Sequence, residues 1–265
     1  MTPGRLVLLG HPVTHSVSPR MHNAALQSAG IDIRYEALDA HPDNLSGVVR
    51  DLAKTNSAGN VTRPHKRALF ALCDSMTDVA TRSGAVNTFW FEDHRLHGDN
   101  TDVAGFERAV RLLVHDRYEG PISLFGSGGA AAGVLEALSS WAGVTVDLIA
   151  RNRLAGAELA SRYPGFVHHV EMTRERLHEA KLVINATPVG QDDESVPFDV
   201  NELHTSAKVF DLVYRRGGTL LVRLARAAGL EADDGTAMLV EQGALSFERW
   251  FGFPPDRKAM QLAIA

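Results

Sequence analysis

A glycine-rich segment near the middle of the chain has the residue types and spacing that suit the binding of a dinucleotide. The run Gly126-Ser127-Gly128-Gly129-Ala130-Ala131 fits the pattern G-x-G-x-x-A. Glycines allow a tight turn and a close approach of the backbone to a pyrophosphate, and the N–H groups that open the following helix point at its negative charge. Glycines also end strands for structural reasons alone, so the position between a predicted strand and a predicted helix is what favours cofactor binding.

The segment after the next predicted strand indicates which dinucleotide is bound. Asp or Glu at this point is typical of NAD binding, because the carboxylate accepts a hydrogen bond from the ribose hydroxyl. The chain has Arg151-Asn152-Arg153 there, with no acidic residue between Ile149 and Ala157. A guanidinium group pairs with a 2′-phosphate, which a carboxylate would repel. We therefore predict NADP as the cofactor; the alternative is that this basic turn is only a solvated loop.

Two serines near the N-terminus have the spacing to hold a carboxylate. Ser16 and Ser18 lie at a predicted strand-to-helix junction, and side chains two residues apart in an extended segment point the same way. Both hydroxyls can then donate to one carboxylate. Ser18 also precedes Pro19, as expected of a hydroxyl cap before a proline at the first helical position, so capping is the alternative role for Ser18.

A single lysine follows the short strand predicted at residues 59–61, in the run Asn60-Val61-Thr62-Arg63-Pro64-His65-Lys66. Considered singly, Lys66 is expected to be a solvated surface residue. Asn87 and Asp102 lie in glycine-flanked segments, where Asn and Asp are usually turn residues. The twelve histidines show no metal-ligand spacing, so no metal site is predicted.

The elements that must position these residues alternate along the chain. In the first part, strands are predicted at residues 6–9, 33–38 and 59–61, with helices from Ser18 to Gly30 and from Asp43 to Lys54. This alternation favours an α/β sheet with parallel pairing.

A second series begins near residue 102. A helix is predicted at residues 102–115, then a strand at 121–125, the glycine turn, a helix at 130–141, and strands at 144–149, 182–185 and 208–212. Strand, glycine turn, helix and strand form the core unit of a Rossmann-type domain. The predicted fold is therefore a two-lobe α/β protein with an N-terminal α/β substrate domain (residues 1–102) and a Rossmann-type dinucleotide-binding domain (103–235). The C-terminal helices, 236–265, are assigned to the first lobe.

Composition limits the class of partner and the compartment. The chain has 265 residues, is 45% apolar and 22% charged, and carries a net charge of -5. Nucleic acid and anionic membranes call for a basic face, so a small-molecule substrate is expected instead. Cys73 is the single cysteine, which suits a reducing compartment. The start lacks a signal-peptide pattern, no apolar run reaches about 18 residues, and a cytoplasmic protein is expected, as a monomer or homodimer.

Nine segments with distinctive residue patterns lie along the chain: residues 16–19, 60–66, 84–88, 98–102, 126–131, 152–153, 185–190, 211–214 and 238–244. They resemble the successive signatures of the shikimate dehydrogenase family, in the family's order and at its spacing. Only 60–66 and 98–102 are specific when taken singly, but together the segments cover nearly the whole chain. The resemblance implies reversible, NADPH-dependent reduction of 3-dehydroshikimate to shikimate.

The resemblance also implies roles for individual residues. Lys66 would be the acid/base and Asp102 would orient it, although close pairs titrate as a unit and the proton carrier is left open. The substrate carboxylate would bind Ser16 and Ser18, with Tyr214 nearby. The ring hydroxyls would contact Thr62, Asn87 and Gln242. The cofactor would contact Gly126, Ser127, Gly128, Gly129, Ala130, Arg151, Asn152, Arg153 and Thr187.

Departures from the family pattern keep alternatives open. Leu154 and Ala157 remove a hydroxyl and a charge from the expected 2′-phosphate site, for which Arg151 could compensate, and Arg216 replaces a common proline. A quinate/shikimate dehydrogenase that uses NAD is the nearest alternative, because quinate offers the same carboxylate and hydroxyls. A non-catalytic sensor would have little need of Lys66 or Asp102. A dehydrogenase acting on methylene-tetrahydrofolate would not need the paired serines.

Overall fold

The computed structural model describes residues 3–115 and 118–265. They form two compact units. The first unit comprises the chain up to Gly105 together with Leu239–Ala265, and the second unit comprises Phe106–Met238. Both divisions lie three residues beyond the predicted lobe boundaries at 102 and 235.

Strands and helices alternate along most of the chain. The strands are β1 Arg5–Gly10, β2 Tyr35–Asp39, β3 Ser57–Val61, β4 Ser75–Met76, β5 Thr88–Glu92, β6 Arg95–Asp99, β7 Gly120–Phe125, β8 Val144–Ile149, β9 Val167–Val170, β10 Leu182–Asn185, β11 Lys208–Asp211 and β12 Glu231–Asp234. The helices are α1 Ser18–Ser28, α2 Leu45–Lys54, α3 Lys66–Leu72, α4 Asp78–Ser83, α5 Thr101–Val114, α6 Gly129–Leu138, α7 Arg153–Ser161, α8 Arg174–Glu179, α9 Leu220–Ala227, α10 Thr236–Phe251 and α11 Arg257–Ile264. No helix of the described residues is long and apolar enough to cross a membrane.

The first unit contains a mixed sheet in the order β2-β1-β3-β5-β6-β4. The predicted parallel pairing is confirmed for β1 with β2 and with β3. The antiparallel hairpin of β5 and β6 was not predicted from the sequence. The turn between these strands is formed by Asp93 and His94 at positive φ. It lacks the glycine that usually marks a two-residue hairpin turn.

Both faces of this sheet are covered at β1, as the alternation along that strand shows. Leu6 and Leu8 pack in one apolar cluster and Val7 and Leu9 in another, as expected for a strand covered on both sides. The first cluster contains residues from both ends of the chain, including α1 and α10: Met21, Tyr35, Val240, Ala244, Phe247 and Trp250. The C-terminal helices are therefore an integral part of the first unit.

The second unit contains a parallel sheet in the order β12-β11-β10-β7-β8-β9. Counted within the unit this order is 6-5-4-1-2-3, which is the doubly wound Rossmann topology, with its switch point beside β7. The strands predicted at 121–125, 144–149, 182–185 and 208–212 are confirmed. The two edge strands were missed because Val-His-His-Val and Glu-Ala-Asp-Asp are short and polar.

Candidate active site

Lys66 and Asp102 form an ion pair in the first unit. Lys66 is the first residue of α3, beyond the loop after β3, and Asp102 lies in the first turn of α5, directly after β6. Lys66 Nζ donates to Asp102 Oδ2 at 2.6 Å. The two side chains are 23% and 17% exposed, so the pair is partly shielded yet reachable from solvent.

Asn87 holds the other oxygen of this carboxylate. Its Nδ2 donates to Asp102 Oδ1 at 2.8 Å and lies 3.3 Å from Gln242 Oε1. Its Oδ1 accepts from Thr101 N at 2.7 Å. Both oxygens of Asp102 therefore have a donor, and Lys66, Asn87, Asp102 and Gln242 are brought together although they come from four separate segments.

A buried polar network that sequence analysis did not identify lies behind Asn87. Asn60 Nδ2 donates to Asn87 O, to Thr88 Oγ1 and, at 2.8 Å, to Ser246 Oγ. Ser246 Oγ also lies 2.7 Å from Thr88 Oγ1 and 3.1 Å from Thr101 Oγ1. The available signal for Ser246 was its position four residues after Gln242, on the same face of α10.

The two serines differ from the expectation in their local structure. Val17 has helical dihedral angles, so the segment is not extended, and Ser18 is the first residue of α1 without a side-chain capping bond. The capping role considered for Ser18 is therefore wrong. Instead, Ser16 Oγ accepts a hydrogen bond from Ser18 N at 3.2 Å, so Ser16 holds the start of the helix.

Thr62 and Tyr214 lie in different units. Thr62 directly follows β3, and Ser16 lies in the loop after β1. These strands are parallel neighbours, so both loops begin at the same end of the sheet, where the strands have their carboxyl ends. Tyr214 is a half-buried residue of the second unit, three residues beyond β11.

The glycine turn fits a pyrophosphate. It connects the central strand β7 to α6, at the switch point of the sheet. Gly126 has φ +120, and a Cβ there would lie 2.8 Å from Ala186 O, whereas Cβ atoms at Gly128 and Gly129 would meet nothing within 4 Å. No side chain caps α6, whose N-cap is Gly128. Space and uncapped N–H groups therefore coincide where the phosphates of a dinucleotide are held in this fold.

The predicted 2′-phosphate residues lie at the start of α7 and are exposed. Asn152 caps this helix, its Oδ1 accepting from Ala155 N. Arg153 forms an ion pair with Glu171, the residue after β9. Glu171 was not among the predicted site residues, because it lies 18 residues beyond Arg153 and follows a strand that was not predicted.

The side chain of Asp211, at the end of β11, is hydrogen-bonded to Asn185 at the end of β10, and Thr187 is bonded to the same asparagine. The Asp211 carboxylate accepts from Asn185 Nδ2, Val213 N and Thr219 Oγ1. Thr187 Oγ1 donates to Asn185 Oδ1 at 2.6 Å. Burial raises the pKa of Asp211 to about 6, against the lowering effect of these donors.

No group of three or more His, Cys, Asp or Glu side chains within residues 3–115 and 118–265 could hold a metal ion.

Two family models match the chain. One is described as the shikimate dehydrogenase substrate binding domain and matches residues 8–89. The other is described as the shikimate 5′-dehydrogenase C-terminal domain and matches residues 235–263.

Known proteins are similar over nearly the full length. The shikimate dehydrogenase (NADP(+)) of Symbiobacterium thermophilum is 40% identical, over 94% of this chain and 90% of that protein. The crystal structure of shikimate 5-dehydrogenase from Thermus thermophilus in complex with NADP(H) and shikimate is 36% identical with a TM-score of 0.89, covering 100% of this chain and 98% of that one. The quinate dehydrogenase of Corynebacterium glutamicum in complex with NAD is 28% identical with a TM-score of 0.90, covering 97% of each chain.

Proposed function

The chain belongs to the shikimate dehydrogenase family, and we propose that it is an oxidoreductase that reduces 3-dehydroshikimate to shikimate reversibly with NADPH. The single observation that carries this proposal is the Lys66–Asp102 pair, held on its second oxygen by Asn87. We assign substrate binding to the first unit and cofactor binding to the second.

The pair supplies the proton that the reaction requires. When bound, NADPH supplies a hydride to a carbonyl carbon, and the carbonyl oxygen must then gain a proton. Lys66 Nζ gives that proton during reduction and takes it back during oxidation. Asp102 accepts one hydrogen bond from Lys66 and one from Asn87, so it fixes the direction of the ammonium group.

Other polar residues bind and orient the substrate in this proposal. Ser16 and Ser18 donate to its carboxylate. Thr62, Asn87 and Gln242 contact the ring hydroxyls. At the cofactor, the backbone from Gly126 to Ala130 holds the pyrophosphate, and residues Arg151 to Arg153 hold the 2′-phosphate. Thr187, which lies just beyond the end of β10, also contacts the cofactor in this proposal.

The setting of the protein follows from the same chemistry. A single cysteine and the use of NADPH suit a reducing compartment. We therefore propose that the protein works in the cytoplasm. We also propose that it is a monomer or homodimer.

Steady-state assays that combine shikimate or quinate with NADP⁺ or NAD⁺ test this function. We expect the highest kcat/KM with shikimate and NADP⁺. A higher kcat/KM with quinate would instead favour a quinate dehydrogenase, for which the similar structure with bound NAD is the supporting observation. Binding of shikimate without turnover of either acid would show a sensor and contradict the proposal.

A further inference from the structure

Glu171 follows the carboxyl end of β9, and this fold holds the ribose of a dinucleotide at the carboxyl ends of the strands. In the pairing of β8 with β9, Ile149 is opposite Val170, so Glu171 follows beside Ala150. The end of β8 is the position at which NAD-binding proteins of this fold carry an acidic residue. The chain lacks an acidic residue at the end of β8, but the neighbouring strand β9 brings Glu171 to the same end of the sheet.

This carboxylate is paired with Arg153, the first residue of α7. The two side chains are 75% and 77% exposed, and Arg153 Nη2 donates to Glu171 Oε1. An arginine fork that is engaged with a carboxylate has fewer N–H groups to offer a phosphate. Glu171 also places a negative charge next to the position of any 2′-phosphate that Arg153 binds.

The other side chains at this turn offset the charge of Glu171 only in part. Leu154 is 85% exposed and has no polar side-chain atom, and Ala157 is exposed as well. Arg151 is exposed at the same turn, so the site has two arginines and one carboxylate. The net positive charge available to a 2′-phosphate is therefore about half of what the two arginines would supply without Glu171.

From this geometry we propose that Glu171 is a specificity-determining residue, which limits the preference for NADP over NAD by engaging Arg153 and by repelling the 2′-phosphate. The proposal rests on the proposed function, because it concerns the cofactor of that reaction. Glu171 does not contact the reacting atoms in this proposal, and its effect is confined to the affinity of the phosphorylated dinucleotide.

Calorimetric titration of the full-length protein with NADP⁺ and with NAD⁺ tests the inference without relying on turnover. We expect Glu171→Gln to tighten NADP⁺ binding about 3- to 10-fold at low salt, the range for charges exposed to solvent. NAD⁺ binding should change less than about twofold. The gain should shrink at about 0.5 M salt because exposed charges are screened.

Glu158→Gln is the matched control, since it removes one exposed negative charge from α7 itself. It should leave both affinities unchanged. In an Arg153→Ala background, Glu171→Gln should have a smaller effect, because only the direct repulsion remains to be removed.

Three results would overturn the inference. They are an unchanged NADP⁺ affinity in Glu171→Gln, an equal gain for both dinucleotides, and an equal gain in the Glu158→Gln control. Wild-type protein that binds neither dinucleotide would contradict the proposed function itself, and this inference with it. Wild-type protein that binds NADP⁺ with an affinity indifferent to Glu171 would overturn this inference alone.

Discussion

At the scale of single residues, Lys66 and Asp102 differ in how many side chains hydrogen-bond to them. Asp102 accepts from both Lys66 and Asn87, whereas Lys66 Nζ bonds to Asp102 alone among the described residues. The ammonium group therefore keeps donors for a substrate oxygen, while both carboxylate oxygens are engaged. This difference favours Lys66 as the group that exchanges the proton and Asp102 as the group that orients it.

Replacing Lys66 tests that division of roles. Lys66→Ala should lower kcat about 10²- to 10⁴-fold and leave substrate affinity largely intact, because only proton transfer is lost. Asp102→Asn should also be severe, and the double variant clearly less than additive. Lys54→Ala, at an exposed lysine on α2, is the control. A Lys66→Ala enzyme with more than roughly a tenth of wild-type kcat would exclude Lys66 from the proton transfer.

The two serines should separate binding from stability. Ser18→Ala should raise KM for shikimate by the equivalent of about 1–3 kcal/mol, the value of a hydrogen bond to a charged group, without lowering Tm. Ser16→Ala should raise KM and also lower Tm, because Ser16 Oγ accepts from Ser18 N. Steady-state kinetics and thermal melts of both variants give the comparison. A fall in Tm with unchanged KM in Ser18→Ala would contradict carboxylate binding by that residue.

At the scale of elements, Asp211 makes the junction of β10, β11 and α9 sensitive to pH. Burial raises its folded pKa from 3.8 to about 6, so between these values the folded state binds more protons than the unfolded state. The free energy of unfolding therefore falls as pH rises through this window. Raising the pKa from 3.8 to about 6 lowers the free energy of unfolding by roughly 3 kcal/mol once the pH exceeds both values.

Asp211→Asn should remove this dependence. The new Nδ2 can donate to Thr219 Oγ1, and Oδ1 can still accept from Asn185 and Val213. Relative to wild type, the variant should therefore gain up to about 3 kcal/mol of stability at pH 7 and little at pH 4. Urea unfolding of both proteins at the two pH values measures the difference. Parallel pH profiles would show that Asp211 is not responsible.

The elements that sequence patterns predicted are the ones whose signals are local. The central strands β7 and β10 are largely apolar, β8 alternates apolar with polar residues, and the glycine turn marks the start of α6. The hairpin of β5 and β6 was missed because Asp93 and His94 form its turn without glycine. The edge strand β9 was missed because two histidines occupy half of it.

The residues of the candidate site likewise divide into those with a local sequence signal and those without one. The motifs that contain Lys66, Asn87 and Asp102 predicted the shikimate dehydrogenase family, and the comparisons confirmed that family. The fold shows how these three residues meet. Ser246 and Glu171 could not be found this way, since each depends on a pairing across distant segments. Ser246 reaches Asn60 over 186 positions, and Glu171 reaches Arg153 only because β9 lies beside β8.

At the scale of the whole molecule, the first unit depends on its C-terminal helices for its core. Phe247 is fully buried against β1 and α1. Phe247→Ala should lower the free energy of unfolding of this unit by about 3–5 kcal/mol. Hydrogen exchange should then show faster exchange of the β1 amides and little change in β7.

Phe253→Ala makes the same chemical change at a residue that is 43% exposed, and it should cost much less. Equal loss of protection in β1 and β7 after Phe247→Ala would show that the two units do not unfold independently.

The two-segment construction of the first unit also has a consequence for biosynthesis. The ribosome makes β1–β6 first, then the whole continuous second unit, and only afterwards the residues of α10 that complete the first core. Since domains fold as units once their residues are present, the second unit can close while the nascent first unit is still missing Val240, Phe247 and Trp250. The part of the chain that is synthesised first therefore finishes folding last. Premature termination before α10 would leave the N-terminal unit, and Lys66 with it, without a completed core.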